Sequence, residues 1–137
     1  FYHHLGHVFT PHTNASGKVF LSQFSKAELA DYCKHHKFEP VTPKTIASAA
    51  ELAKDLALTL KRGYALNDEE NIPGTRCFAV PIYNDKGHIV ASVSVSGTLF
   101  QIPLEQIPSM VCVVNSILDE FYREYSPLLI LNNIFDM

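Results

Sequence analysis

The sequence predicts an α/β domain of the α+β kind, and three observations carry that expectation. The stretch "CFAVPIYNDKGHIVASVSVSG" alternates residue types around an Asn-Asp-Lys-Gly turn, the pattern of a β-hairpin. Residues 48–63 repeat leucine every fourth position behind a Ser-x-x-Glu start, as an amphipathic helix does. Residues 104–125 repeat aliphatic side chains at helical spacing over a still longer run.

The elements follow in chain order. "FYHHLGHVFTPH" mixes aromatics, His and Val up to Pro11, which predicts a strand over residues 2–10. Thr13 or Asn14 can cap a short helix whose apolar side is Val19, Phe20 and Phe24. Ser25 and Glu28 form a capping-box pair before a helix with Leu29, Tyr32 and Cys33 on one side. "KFEPVTPKTI" holds two prolines and reads as an extended loop. A second pair, Ser48 and Glu51, opens the leucine-rich helix, with Leu52, Leu56 and Leu60 flanked by Ala53 and Ala57. Lys61 and Arg62 suit its negative end, and Gly63 can close it in a left-handed conformation. "YALNDEENIPGTR" reads as a polar connection into the hairpin. The long helix from Leu104 to Tyr125 carries Ile107, Val111, Val114, Leu118 and Phe121 as its buried stripe, with Pro108 tolerated near the start. The apolar tail, residues 126–137, receives no assignment.

Composition narrows the function classes. A chain of 137 residues is one domain able to bury about two-thirds of its unfolded surface. Its net charge of −3, with no Lys/Arg cluster, makes the chain by itself a poor nucleic-acid binder. Cys33, Cys77 and Cys112 are widely spaced, which suits a reduced, cytoplasmic protein better than a disulfide scaffold. No apolar run reaches the ~18 residues of a membrane span, so no membrane partner is expected. The start at Phe1, within a patterned segment, reads as a piece cut from a longer protein.

The hairpin raises a question of its own. If Asn84 to Gly87 form the turn with Tyr83 facing His88, Cys77 lies opposite Ser94, Ala79 opposite Ser92 and Thr75 opposite Ser96. The other face pairs Phe78 with Val93, Val80 with Ala91 and Ile82 with Ile89, and is wholly apolar. One face is therefore core, and the other is small and weakly polar. Exposed strand faces usually carry longer polar or charged side chains, so Ser92, Ser94 and Ser96 favour the floor of a ligand cavity. A solvated face and a helix packed closely over the small residues are the alternatives. "HTNASGK" offers a complementary element, since small residues at a helix start leave backbone N–H groups free for a carboxylate or phosphate. Its single glycine before Lys18 does not make a P-loop.

"RGYALNDEENIPGTRCFAVPIYNDKGHIVASVSVSG" resembles the effector-binding domain of IclR-type bacterial transcriptional regulators. The matching features are Arg62 to Ala65, the patch Asn67 to Glu70, Gly74, Cys77 to Ala79, and Ser94 to Gly97. "PHTNASGKVFL" resembles the family's Pro-His-small-small-Gly-Lys loop, and "EPVTPKTI" its connector between helices, so the likeness runs from about residue 8 to 122. The resemblance implies a GAF-like domain, a mostly antiparallel sheet flanked by helices, with a small organic acid held between sheet and loop. Carried over residue by residue, Ala15, Ser16, Asn67, Cys77, Ser94 and Ser96 would bind the effector, with Phe9 and Thr75 lining the wall. Loop amides would hold the carboxylate, while the hydroxyls and Cys77 would meet a keto or hydroxy oxygen. It also implies a homodimer or homotetramer, and DNA contact only through a winged helix-turn-helix domain absent from this chain. Residues 1–125 would be a partial effector domain lacking its first helix and strands, and residues 126–137 depart from the family pattern. Asn67 stands where the family usually has Asp, which alters the expected polarity of the pocket.

Two other readings compete. Cys77 as a nucleophile would need a base, and the hairpin pairing places no histidine beside it, so no catalytic residue is assigned and no enzyme is expected. His3, His4, His7 and His12 are candidate metal ligands, yet strand alternation puts His3 and His7 on one side and His4 and His12 on the other. Cys33, His35 and His36 sit at a helix end, where histidine more often answers the dipole. Asp68, Glu69 and Glu70 read as a solvated turn rather than a cation site. No metal or cofactor is therefore expected.

Overall fold

The computed structural model describes residues 8–125. A 3-10 turn, Pro11–Thr13, leads into α1 (Ala15–Leu21), followed by α2 (Lys26–His35), α3 (Ala49–Arg62), β1 (Ala65–Asp68), β2 (Thr75–Tyr83), β3 (Ile89–Thr98) and α4 (Ile107–Tyr125). The strands form an antiparallel sheet in the order β1-β2-β3. Helix α4 packs its apolar side on Phe78, Val80 and Val95, while α1 lies on the opposite face over Ala65, Ala79 and Ile89. A third cluster joins Leu21 of α1, Tyr32 of α2 and Leu52 and Leu56 of α3 around Ile46. The α+β architecture with helices on both sides of the sheet agrees with expectation.

The strand predicted for residues 2–10 lies mostly outside the described residues, and positions 8–10 are irregular. Asn14 caps α1, its Oδ1 accepting the Gly17 N–H at 2.7 Å. Of the predicted apolar side only Val19 is buried; Phe20 and Phe24 are 38% and 40% exposed. Because α1 is wedged between sheet and α3, two adjoining flanks are covered, taking Ala15, Val19, Lys18 and Leu21, and Phe20 points outward. The capping box of α2 is complete, Ser25 Oγ accepting the Glu28 N–H at 3.3 Å and Glu28 Oε2 accepting the Ser25 N–H at 2.7 Å.

In α3 the buried positions are Leu52, Leu56 and Thr59, whereas Leu60 is 61% exposed and Ala53 and Ala57 face solvent. A spacing of four, four drifts off a 3.6-residue turn; a spacing of four, three stays on it. Gly63 ends the helix at φ 80°, as its position suggested.

The expected polar connection after Tyr64 instead begins with strand β1. Ala65 and Asn67 face α1, and Leu66 faces α4. The hairpin register is shifted by two residues from that predicted: Cys77 pairs with Ser96, Ala79 with Ser94, Val80 with Val93 and Thr75 with Thr98. An even shift leaves the side chains from Ala91 to Thr98 on the predicted face. At the turn the register breaks, Ile82 pairing with Ala91 but Tyr83 with Ile89. Val90 is thus the extra residue of a bulge, and Ile89 turns to the α1 face instead of joining Ile82.

Residues 104–106 form a 3-10 turn before α4 proper. Ile107, Val111 and Leu118 are buried and Val114 packs beside them, but Phe121 is 41% exposed. The last anchor of α4 is Tyr122, whose hydroxyl accepts the Tyr83 N–H at 3.0 Å and donates to the Tyr83 carbonyl at 3.2 Å. That contact turns Phe121 away from the sheet. The apolar tail lies outside the described residues.

Candidate functional site

Helix α1 covers only part of the small-residue face. Ala15 and Val19 press onto Ala65, Ala79 and Ile89, so close helix packing describes that half. At the other half, where β2 begins and β3 ends, a cavity of about 300 Å³ opens between the start of α1 and the sheet. Ala15, Ser16, Asn67, Cys77, Ser94 and Ser96 all line it, together with Phe9 and Thr75. Asn14, Asn71, Ile72 and Arg76 complete the lining and were not anticipated. Asn71 and Ile72 lie in a loop without periodicity, and Asn14 read only as a cap.

The eight side chains do different things. Ser94 and Ser96 are exposed and stand on β3, the outer strand among the described residues, at the rim rather than on a closed floor. Ser16, Asn71 and Ser94 have no protein partner for their polar side chains among the described residues. Among the described residues the Ala15 and Ser16 amides meet no acceptor, Asn14 Oδ1 taking the Gly17 N–H. Thr75 spends its hydroxyl proton on the Ile72 carbonyl at 2.7 Å.

Asn67 differs from the role expected of it. Its Nδ2 donates to the Thr13 carbonyl at 2.7 Å and its Oδ1 accepts the Glu70 N–H at 3.0 Å. Both ends of the amide are engaged, so Asn67 ties the turn before α1 to the end of β1. A carboxylate here would have no proton for Thr13 unless it were itself protonated.

Beneath this tie lies a buried ion cluster that sequence inspection passed over. Lys18 is fully buried, and its Nζ donates to both Glu70 oxygens at 2.8 Å and to the Leu66 carbonyl. Asp55 Oδ2 stands 3.1 Å away as an ion partner. Burial pushes the Glu70 carboxyl above its ordinary range, against the pull of Lys18. The "GK" of the loop was the available signal, since a lysine four residues after a cap points into the protein as readily as out of it.

The cation on the lining, Arg76, is also engaged. It donates from Nε to Asp68 Oδ1 and from Nη1 to the Ile102 carbonyl, both at 2.7 Å. Lys44 bridges Asp68 at 3.0 Å and Glu69 at 2.6 Å, and the Gly74 N–H adds to Glu69 at 2.8 Å. Burial raises the Asp68 carboxyl, but Lys44 and Arg76 outweigh it and hold the group below its ordinary range. Asp68, Glu69 and Glu70 are therefore cross-linked to cations, neither a solvated turn nor a set of free ligands.

Cys77 is half-buried, and burial pushes its thiol above the ordinary range despite smaller opposing effects of Ser96 and Lys18. A protonated thiol without a base is a poor nucleophile. His12 is 1% exposed, with Nδ1 2.9 Å from the Tyr32 hydroxyl and its ring against Phe38. It serves the core. His3, His4 and His7 lie outside the described residues, among which no group of three metal-binding side chains occurs. His35 and His36 approach the Asp31 and Tyr32 carbonyls at 2.9 Å, the helix-end role expected of them.

Comparison with known proteins agrees with this architecture. Residues 1–118 match the family model described as bacterial transcriptional regulator IclR C-terminal. The chain belongs to that family. It is 38% identical to the HTH-type transcriptional regulator XynR of Escherichia coli over 95 residues, covering 69% of this chain and 38% of XynR. Against the transcriptional repressor IclR of the same organism it is 33% identical over 96 residues, covering 70% of this chain and 35% of that protein. The chain thus spans a little over a third of these relatives. The crystal structure of Thermotoga maritima IclR superposes with a TM-score of 0.78 at 35% identity, covering 90% of this chain and 50% of that one. The inducer-binding domain of PobR from Acinetobacter, solved with 3-hydroxybenzoic acid, gives the same TM-score at 24% identity, a likeness of fold, over 86% of this chain and 68% of that one. These relatives are named as transcriptional regulators and repressors. Among the described residues no helix is long and apolar enough to cross a membrane.

Proposed function

We propose that the cavity between α1 and the sheet is an effector site for a small organic acid, and that its occupancy modulates DNA binding by the intact regulator. The observation that carries this reading is convergence. Eight residues chosen from three separate stretches of sequence line one cavity of about 300 Å³. That volume is at the lower end of the range for small-molecule sites. The Ala15 and Ser16 amides would receive the carboxylate, and the Ser94 and Ser96 hydroxyls a keto or hydroxy oxygen. Arg76, the cation on the lining, is committed to Asp68, so a single carboxylate suits the site better than two.

In this reading residues 1–125 belong to the effector domain, while a winged helix-turn-helix domain elsewhere in the parent protein holds DNA. The parent is a cytoplasmic homodimer or homotetramer, in which the ligand shifts the relative placement of subunits. A ligand at 100 times its dissociation constant stabilises the fold by about 2.7 kcal/mol. For a domain of this size that is a rise of several degrees in the melting midpoint. Thermal-shift and calorimetric screening with glyoxylate, pyruvate, sugar acids and aromatic acids tests the proposal. Ser94→Ala and Ser96→Ala are expected to weaken the responding acid by about tenfold each, roughly 1.4 kcal/mol, without moving the midpoint of the free protein. Absence of any response across the panel overturns it.

A further inference from the structure

A second cavity, of about 360 Å³, has Phe9 in its wall as the first does. The two share Phe9 and Asn71 in their walls, and differ in chemistry beyond that partition. The first offers amides and hydroxyls, and Arg76, the cation on its lining, is already paired with Asp68. The second is lined by His35, His36 and Lys37, with Glu39 as the acidic group. Phe9 is half-buried and precedes the turn that starts α1, so its ring is positioned by a short irregular segment rather than by the sheet.

We propose that Phe9, seconded by Asn71, sets the upper size of acid that the effector cavity accepts. This rests on the effector reading above. An acid filling about 300 Å³ stops at the ring; a longer one must displace it to reach the second chamber, where a distal anionic group would meet Lys37. Phe9 is in this sense a specificity-determining residue, since the two neighbouring cavities share it in their walls. Removing the ring should join them.

The test compares benzoate, naphthoate, biphenyl-carboxylate and biphenyl-dicarboxylate by calorimetry on the full chain and on its Phe9→Ala and Asn71→Ala variants. The unmodified chain is expected to bind benzoate and to lose affinity by about tenfold or more at the biphenyl acids. Phe9→Ala should recover the biphenyl acids while retaining benzoate, and should favour the dicarboxylate. Lys37→Met added to Phe9→Ala should abolish that last preference alone. Benzoate binding with an unchanged size ranking in both variants overturns the partition and leaves the effector reading standing. Failure of every acid, pyruvate included, to bind the unmodified chain overturns both. Should Phe9→Ala not fold, the same gain is required of Asn71→Ala, and its absence there is equally decisive.

Discussion

At the scale of single residues the most consequential side chain is Lys18. It holds no exposed surface, and its ammonium is enclosed by Glu70, Asp55 and the Leu66 carbonyl. Such a cluster contributes less through net attraction than through the cost of breaking it, because each partner left alone is a buried charge. Lys18→Met should therefore lower stability by about 3–5 kcal/mol in urea denaturation. Adding Glu70→Gln to that variant should restore part of the loss, since the stranded carboxylate is then gone. Equal stability of Lys18→Met and the unmodified chain would show the cluster to be dispensable. The residue scale is also where sequence reading was least complete. Asn67 belongs to the cavity wall, but the bonds that engage both ends of its amide come from Thr13 and Glu70. Thr13 lies 54 positions away, a partner that no local pattern reveals.

At the scale of elements, the placement of α1 decides whether a cavity exists at all. Its entry depends on Gly17, where a Cβ would stand 2.3 Å from the Pro11 carbonyl oxygen and 2.5 Å from the Pro11 Cα. Those are backbone atoms of the turn that precedes the helix, so they cannot rotate aside. Gly17→Ala is expected to cost roughly 1–3 kcal/mol or more, as overpacking does, and to displace α1 from Ala65 and Ala79. Thermal denaturation with and without a bound acid checks it: the midpoint should fall, and the acid-induced rise should shrink with it. An unchanged midpoint would mean that the turn and helix yield freely. The elements themselves were largely legible. The Ser25–Glu28 and Ser48–Glu51 starts, the Gly63 stop and the turn after Tyr83 all appear where the pattern put them, because each rests on contacts within four residues. Cavity membership survived an error in pairing for a similar reason: the register moved by two, and strand faces repeat every two residues. Strand β1 escaped notice because four residues ending in Asn-Asp carry too little alternation, and its strand character comes from pairing with β2. The Val90 bulge was equally hidden, since it depends on how the turn closes, Asn84 donating its N–H to the His88 carbonyl at 2.9 Å.

At the scale of the whole molecule, buried polar groups make stability depend on pH. His12 joins the turn before α1 to α2 through Tyr32, and α2 to the loop at Phe38. Burial depresses its proton affinity, and the neighbouring charges of His36 and Lys18 depress it further. The folded state thus prefers neutral His12, while the unfolded chain takes up a proton below about pH 6.5. Between that value and the depressed folded one, the unfolded state binds more protons and stability must fall as pH falls. Asp68 and Glu69, both held low by their cations, act in the same direction but only near and below pH 4, the ordinary carboxylate range. Glu70 acts oppositely, since its raised carboxyl gains a proton more readily in the folded state. Urea denaturation at successive pH values should accordingly show a first loss of stability between pH 7 and 5. His12→Gln, which keeps hydrogen-bonding capacity toward the Tyr32 hydroxyl, should flatten that loss while leaving the acid limb below pH 4 unchanged. An equal slope in both proteins between pH 7 and 5 would assign the loss to other groups.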